Sequence, residues 1–132
     1  MTAVEILLVE DNAGDALLIQ QVLAGCPVRL KLHVARDGEQ ALGMLANRGF
    51  KPDLIILDLN IPRISGMALL ERWGRVSVPV VVFTSSLEER KRALELGACA
   101  FVLKPVNFDA FTDAVRGIVQ EWGLPRASQT AV

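Results

Sequence analysis

Apolar residues in this chain follow two rhythms. Residues 5–9, 54–57 and 79–83 are short runs that are apolar almost throughout, the pattern of strands buried on both faces of a parallel sheet, and residues 100–103 read as a fifth strand. Residues 29–34, Arg29-Leu30-Lys31-Leu32-His33-Val34, alternate polar with apolar and predict a strand nearer an edge. Between the runs the spacing turns helical: Ala16, Ile19, Val22 and Leu23; Ala41, Leu42 and Leu45; Met67, Leu69, Leu70 and Trp73. Residues 88–96 predict a charged surface helix in which Glu88 and Arg92 pair at i,i+4, with Gly97 as its C-cap. Phe108, Phe111, Val115, Ile118, Val119 and Trp122 predict a final helix with all six on a core-facing side. Asn12 and Asn107 suit N-caps, Asp37-Gly38 suits a turn, and Pro62 and Gly66 suit irregular backbone in the loop after residue 59.

Strands that alternate with helices define an α/β doubly wound domain, because parallel strands need crossover helices and these cover both faces. The domain is expected over residues 4–122, with residues 123–132, which lack periodicity, as a flexible tail.

The strand ends carry the polar chemistry. The first run ends on Glu10-Asp11, the third on Asp58, the fourth on Thr84 and the fifth on Lys104. In open α/β sheets ligands bind at the carboxyl edge, although Asp58 taken alone suits a loop cap equally well. Three carboxylates gathered at one edge repel one another unless a cation resolves the conflict, and a hard ion such as Mg²⁺ prefers such oxygen ligands. Lys104 adds a compact positive charge and Thr84 a hydroxyl donor. The set suits phosphoryl transfer to Asp58 as nucleophile, with Lys104 and Thr84 on the phosphoryl oxygens. No general base is needed, since an aspartate is already ionised near neutral pH.

Composition narrows the field. Hydrophobic residues make up 52% and charged ones 22% of 132 residues, and the net charge is −1. Extended disorder is excluded, the apolar runs are too short to span a bilayer, and no global field favours nucleic acid. The amino terminus lacks a secretory pattern, so a cytoplasmic protein with reduced thiols is expected. Cys26, Cys99 and the single histidine, His33, are too dispersed for a zinc site; His33 reads as a surface residue and the cysteines as structural.

With these residues assembled, the chain resembles the receiver domain of two-component response regulators. The resemblance rests on Val9-Glu10-Asp11-Asn12, Asp53 to Pro62 around Asp58, Thr84-Ser85 and Lys104-Pro105, in that order. It implies a flavodoxin-like (βα)5 three-layer sandwich with strand order 2-1-3-4-5 and no enzymatic turnover beyond self-catalysed phosphorylation and dephosphorylation. By the same resemblance Asp58 accepts a phosphoryl group from a histidine kinase or phosphotransfer protein, and Glu10, Asp11, Asp58 and the backbone carbonyl of Asn60 bind Mg²⁺. Glu10 stands where many members have aspartate. Phe101 matches the aromatic that rotates when the Thr84 hydroxyl is drawn inward, the alternative being a plain core aromatic. Ser86 and Asn60 occupy positions that tune dephosphorylation, and Lys104-Pro105 resembles a cis peptide of the family. No second domain is evident, so the signal is expected to leave through the surface of the fourth helix, fifth strand and fifth helix, toward a homodimer or a downstream protein. The pattern is more similar to single-domain receivers of phytochrome-type or hybrid kinases than to chemotaxis receivers. A receiver-fold module that docks without phosphorylation is the alternative reading. A phosphatase of the haloacid-dehalogenase class is disfavoured, because Asn60 stands where its second acid is expected.

Overall fold

The computed structural model describes residues 3–73 and 77–123. In chain order the elements are β1 (Val4–Val9), α1 (Ala13–Ala24), β2 (Leu30–Ala35), α2 (Gly38–Ala46), β3 (Leu54–Leu57), α3 (Gly66–Trp73), β4 (Val80–Thr84), α4 (Arg90–Glu95), β5 (Ala100–Leu103) and α5 (Phe108–Ile118). A π-helical turn, Val119–Gly123, continues α5. The strands form one parallel sheet in the order β2-β1-β3-β4-β5, the expected flavodoxin-like order.

The period-two alternation of strand side chains divides the core in two. Ile6, Leu8, Leu54, Ile56, Val81 and Phe83 face one side and pack with Ile19 and Leu23 of α1 and with Phe111, Val115 and Ile118 of α5. Leu7, Val9, Ile55, Leu57, Val80 and Val82 face the other and pack with Ala41 of α2, Leu69 and Leu70 of α3 and Ala93 of α4. Both faces are therefore dry, which is why the three inner strands contain almost no polar residue. Edge strand β2 keeps the alternation foreseen for it: Lys31 is exposed while Leu30, Leu32 and Val34 lean on the α1–α5 core. His33 is half-buried, bonded through Nε2 to Glu5 Oε1 at 2.9 Å and edge-on to Phe50.

The caps hold. Asn12 and Asn107 accept the amides of Asp15 and Ala110. Gly97, at φ 112°, follows α4 in a Schellman motif, with its amide on Leu94 O and that of Ala98 on Ala93 O. Asp37 proves to be the N-cap of α2, accepting the Gln40 amide, rather than part of a free turn.

Five expectations need correction. Phe108 is 60% exposed, because it is the first residue of α5 and lies beyond the reach of the sheet. Helix α4 starts at Arg90, Glu88 lies in the preceding turn with its amide on Ser86 Oγ, and Arg92 pairs instead with Glu71 of α3 at 3.0 Å. The Lys104–Pro105 peptide is trans, the isomer X-Pro bonds ordinarily prefer. The positive φ of the β3–α3 loop, 71°, belongs to Arg63 rather than to Gly66. Gly123, expected to open the tail, closes the π turn and is buried, while residues 124–132 lie outside the described residues.

Gly66 serves packing instead: a Cβ there would lie 2.5 Å from Leu59 Cα and 2.7 Å from the Asp58 carbonyl oxygen. At Gly43, within α2, an added Cβ would meet nothing within 4 Å. Gly66→Ala is therefore expected to destabilise the fold by about 1–3 kcal/mol through overpacking, whereas Gly43→Ala stabilises it by about 0.5–1 kcal/mol through helix propensity. Urea titrations of the two variants check the opposite signs.

Candidate functional site: an acidic edge bound to one lysine

The sheet ladder itself delivers the site. One bond beyond β1, the Glu10 amide donates to Ala35 O at 2.9 Å, and one beyond β3, the Asp58 amide donates to Val9 O at 3.0 Å. One beyond β5, the Lys104 amide donates to Thr84 O at 2.7 Å. Glu10, Asp58 and Lys104 are thus each placed by a backbone bond that continues a strand of the sheet. Carried one residue past the strand ends, the alternation sends Glu10, Asp58 and Lys104 to the α1–α5 side, while Thr84 stays on the side of Val82.

On the α1–α5 side, Lys104 Nζ donates to Glu10 Oε1 at 2.6 Å, Asp58 Oδ2 at 2.8 Å and Asp15 Oδ2 at 2.9 Å. An ammonium has three protons, so its donor capacity is filled by three carboxylates. The ammonium also stands 5.9 Å from the centroid of the Phe83 ring, close enough for a cation–π contribution. The second oxygens are used as well: Asp58 Oδ1 accepts the Asn60 amide at 3.0 Å and Glu10 Oε2 the Asn12 amide at 3.2 Å.

Burial makes these charges matter. The Lys104, Glu10 and Asp58 side chains are at most 9% exposed. Burial, reinforced by the Asp58 charge and only partly offset by Lys104, pushes the Glu10 carboxyl up to about 7. Burial alone would lower the Lys104 value, but hydrogen bonds to Asp58, Glu10 and Asp15 outweigh it and raise the ammonium above its ordinary range. The lysine is therefore held charged. The environment at Glu10 resists its charge.

Glu10, Asp11 and Asp58 each bring a carboxylate oxygen within 4.8 Å of the other two, with Asp11 exposed at the mouth. That spacing, with two of the three acids buried, fits a hard divalent cation. Thr84 is fully buried, and its Oγ1 finds no hydrogen-bond partner among the described residues. A buried hydroxyl without a partner is costly, which marks a place where an incoming acceptor would be welcome. Phe101 stands one strand period below, opposite Val82, half-buried on the Thr84 side of the sheet. Ser86 and Asn60 are adjacent in sequence to the cluster, Ser86 holding the Glu88 amide. His33 and both cysteines belong to other parts of the fold.

Asp15 is the side chain of this cluster that sequence reading passed over. An acid in the first turn of a helix is routinely explained by the helix dipole, and here the Asp15 amide also engages the Asn12 cap. Only the fold brings it to Lys104, distant by 89 positions.

The parallel order and the acidic edge gathered on one lysine define an α/β doubly wound domain with its polar site at the carboxyl ends of the strands, and the chain belongs to the response regulator receiver domain family, whose model matches residues 6–116. Among individual proteins it is similar to response regulator Rcp1 of Synechocystis sp., 34% identical over 128 residues that cover 89% of this chain and 87% of that one. The phosphorylated cyanobacterial phytochrome response regulator RcpA superposes with a TM-score of 0.85 at 32% identity, over 92% of this chain and 94% of that one. The Mn(2+)-bound form of Rcp1 does so with a TM-score of 0.83 at 33% identity, over 90% and 94%. The chain also matches protein-glutamate methylesterases, such as one from Methanospirillum hungatei, but spans only 31% of that relative's length.

The raised Glu10 value has a measurable consequence. A cation that uses the ionised carboxylate must displace a proton below about pH 7, so apparent Mg²⁺ or Mn²⁺ affinity is expected to fall as pH drops from 8 to 6, by at most about tenfold per unit. In the metal-free protein the sign is opposite. The contribution of protonated Glu10 is full below its unfolded value near 4.5 and is lost as pH rises through about 7. Calorimetric titration at several pH values checks the affinity slope, which Glu10→Gln should flatten.

Proposed function

We propose that the protein is a phosphorylatable signalling switch whose phosphoacceptor is Asp58. The observation that carries this reading is the paired arrangement around that carboxylate: Lys104 bonded to it on one side and, on the other face of the sheet, a buried Thr84 hydroxyl without a partner. Asp58 Oδ attacks the phosphorus of the donor. A P–O bond forms while the bond to the departing group breaks, and that group leaves with its electron pair. The Lys104 donor that now serves Asp58 turns to a phosphoryl oxygen, and Thr84 Oγ1 donates to another. Glu10, Asp11 and Asp58 would hold Mg²⁺, joined by the backbone carbonyl of Asn60. Bound there, the ion supplies neutralisation of charge on the transferring group.

The donor in this reading is a histidine kinase or phosphotransfer protein of the cytoplasm, of the phytochrome-linked kind. The similarity to Rcp1 and RcpA supports that choice. The response is read through α4, β5 and α5. Once Thr84 Oγ1 has a phosphoryl partner, Phe101 on the same face changes its packing. Leu94 of α4 and Leu103 of β5 are exposed there, together with Leu87 in the loop before α4, and they suit a protein partner or a second copy of the chain.

Incubation with acetyl phosphate and Mg²⁺, followed by intact-mass measurement, is expected to add one phosphoryl group, and chelation of the metal or Asp58→Asn to abolish the addition. Thr84→Ala should slow accumulation on the order of a hundred- to a thousandfold, in line with removal of one preorganised donor. An equal mass gain in Asp58→Asn would overturn the assignment. Partner binding unaffected by Asp58→Asn would favour docking without phosphorylation.

A further inference from the structure

Asp15 belongs to the same node as the phosphoacceptor. It stands in the first turn of α1, and its Oδ2 takes one Lys104 ammonium proton at 2.9 Å. The other two protons go to Glu10 and Asp58. Glu10 and Asp15 flank Asn12, which ties them together: the Asn12 amide donates to Glu10 Oε2, and Asn12 Oδ1 accepts the Asp15 amide. The β1–α1 segment thus presents a two-carboxylate seat for the ammonium and leaves the remaining proton to point at Asp58.

A lysine carries four methylenes and rotates freely unless held. With one acceptor removed, the ammonium has a vacant donor and a wider arc. Asp15 is not among the acids gathered for a cation, which are Glu10, Asp11 and Asp58. Its carboxylate meets Lys104 rather than the acids gathered for the metal.

We propose that Asp15 is a positioning residue for phosphoryl transfer to Asp58, holding the Lys104 ammonium so that a single donor is free to pass from the Asp58 carboxylate to the phosphoryl group. This rests on Asp58 being the phosphoacceptor.

Two readouts separate this role from a merely structural or electrostatic one. In the metal-free protein, nitrogen-detected NMR should show the Lys104 ammonium protons exchanging with water several-fold faster in Asp15→Asn than in the unaltered chain. With acetyl phosphate, Asp15→Asn should lower the Mg²⁺-saturated phosphorylation rate on the order of tenfold, the scale of a small misplacement of a catalytic group. The half-saturating Mg²⁺ concentration should stay within about twofold, and the effect should vanish in a Lys104→Met background. A shift in half-saturation with an unchanged saturated rate, unaltered ammonium exchange, or the same rate loss with and without Lys104 would each overturn the proposal. If Lys104→Met takes up no phosphoryl group, the split between rate and half-saturation decides alone. Failure of the unaltered chain to be phosphorylated would instead refute the phosphoacceptor reading, while the exchange measurement would still report on the contact.

Discussion

The rest of the structure depends on one ammonium group shared among three carboxylates. Glu10 and Asp58 sit at the ends of neighbouring strands, where the backbone register brings them side by side. Like charges at that spacing and burial repel strongly. Lys104 resolves the conflict by occupying the space between them and taking Asp15 as well. The resolution is partial, since the Glu10 carboxyl is still pushed up to about 7 by its burial. An edge left with surplus negative charge is poised for cations. The same lysine that makes the metal-free fold tolerable is the group to which the proposed function assigns a phosphoryl oxygen.

The rigid part of the account is the sheet. Phe83, Leu57 and Val9 are fully buried or nearly so, and each lies one residue before a member of the site or its loop. The side chains beyond them inherit that order. Gly66 contributes from the other direction, because its lack of a side chain lets α3 begin against the backbone of Asp58 and Leu59. At this edge Thr84 is the exception to satisfied burial among the described residues. Its unpartnered hydroxyl is a small standing cost, one that an incoming acceptor at this edge would relieve.

Much of this was legible in the chain, for physical reasons that can be named. Unbroken apolar runs revealed inner strands because both sheet faces are covered, and the alternation at Leu30–Ala35 revealed an edge. Glu10, Asp11, Asp58, Thr84 and Lys104 could be assembled because they terminate those runs. What escaped was set by three-dimensional context. Asp15 drew no attention, an acid in the first turn of a helix being common, and only the fold brings it to Lys104. Phe108 kept helical phase with Phe111 but projects beyond the sheet, since phase says nothing about where a core ends. Arg92 had an acid at helical spacing in Glu88 and chose Glu71 instead, because the turn holding Glu88 is not part of the helix.

The central claim is that Lys104 and a divalent cation share the burden of the same buried acids. The most direct measurement is the melting temperature of the unaltered chain and of Lys104→Met, each with and without millimolar Mg²⁺. The account predicts that Mg²⁺ raises both, and raises the variant more, because the ion then meets carboxylates that nothing else neutralises. An equal rise in the two proteins, or none in either, would contradict it.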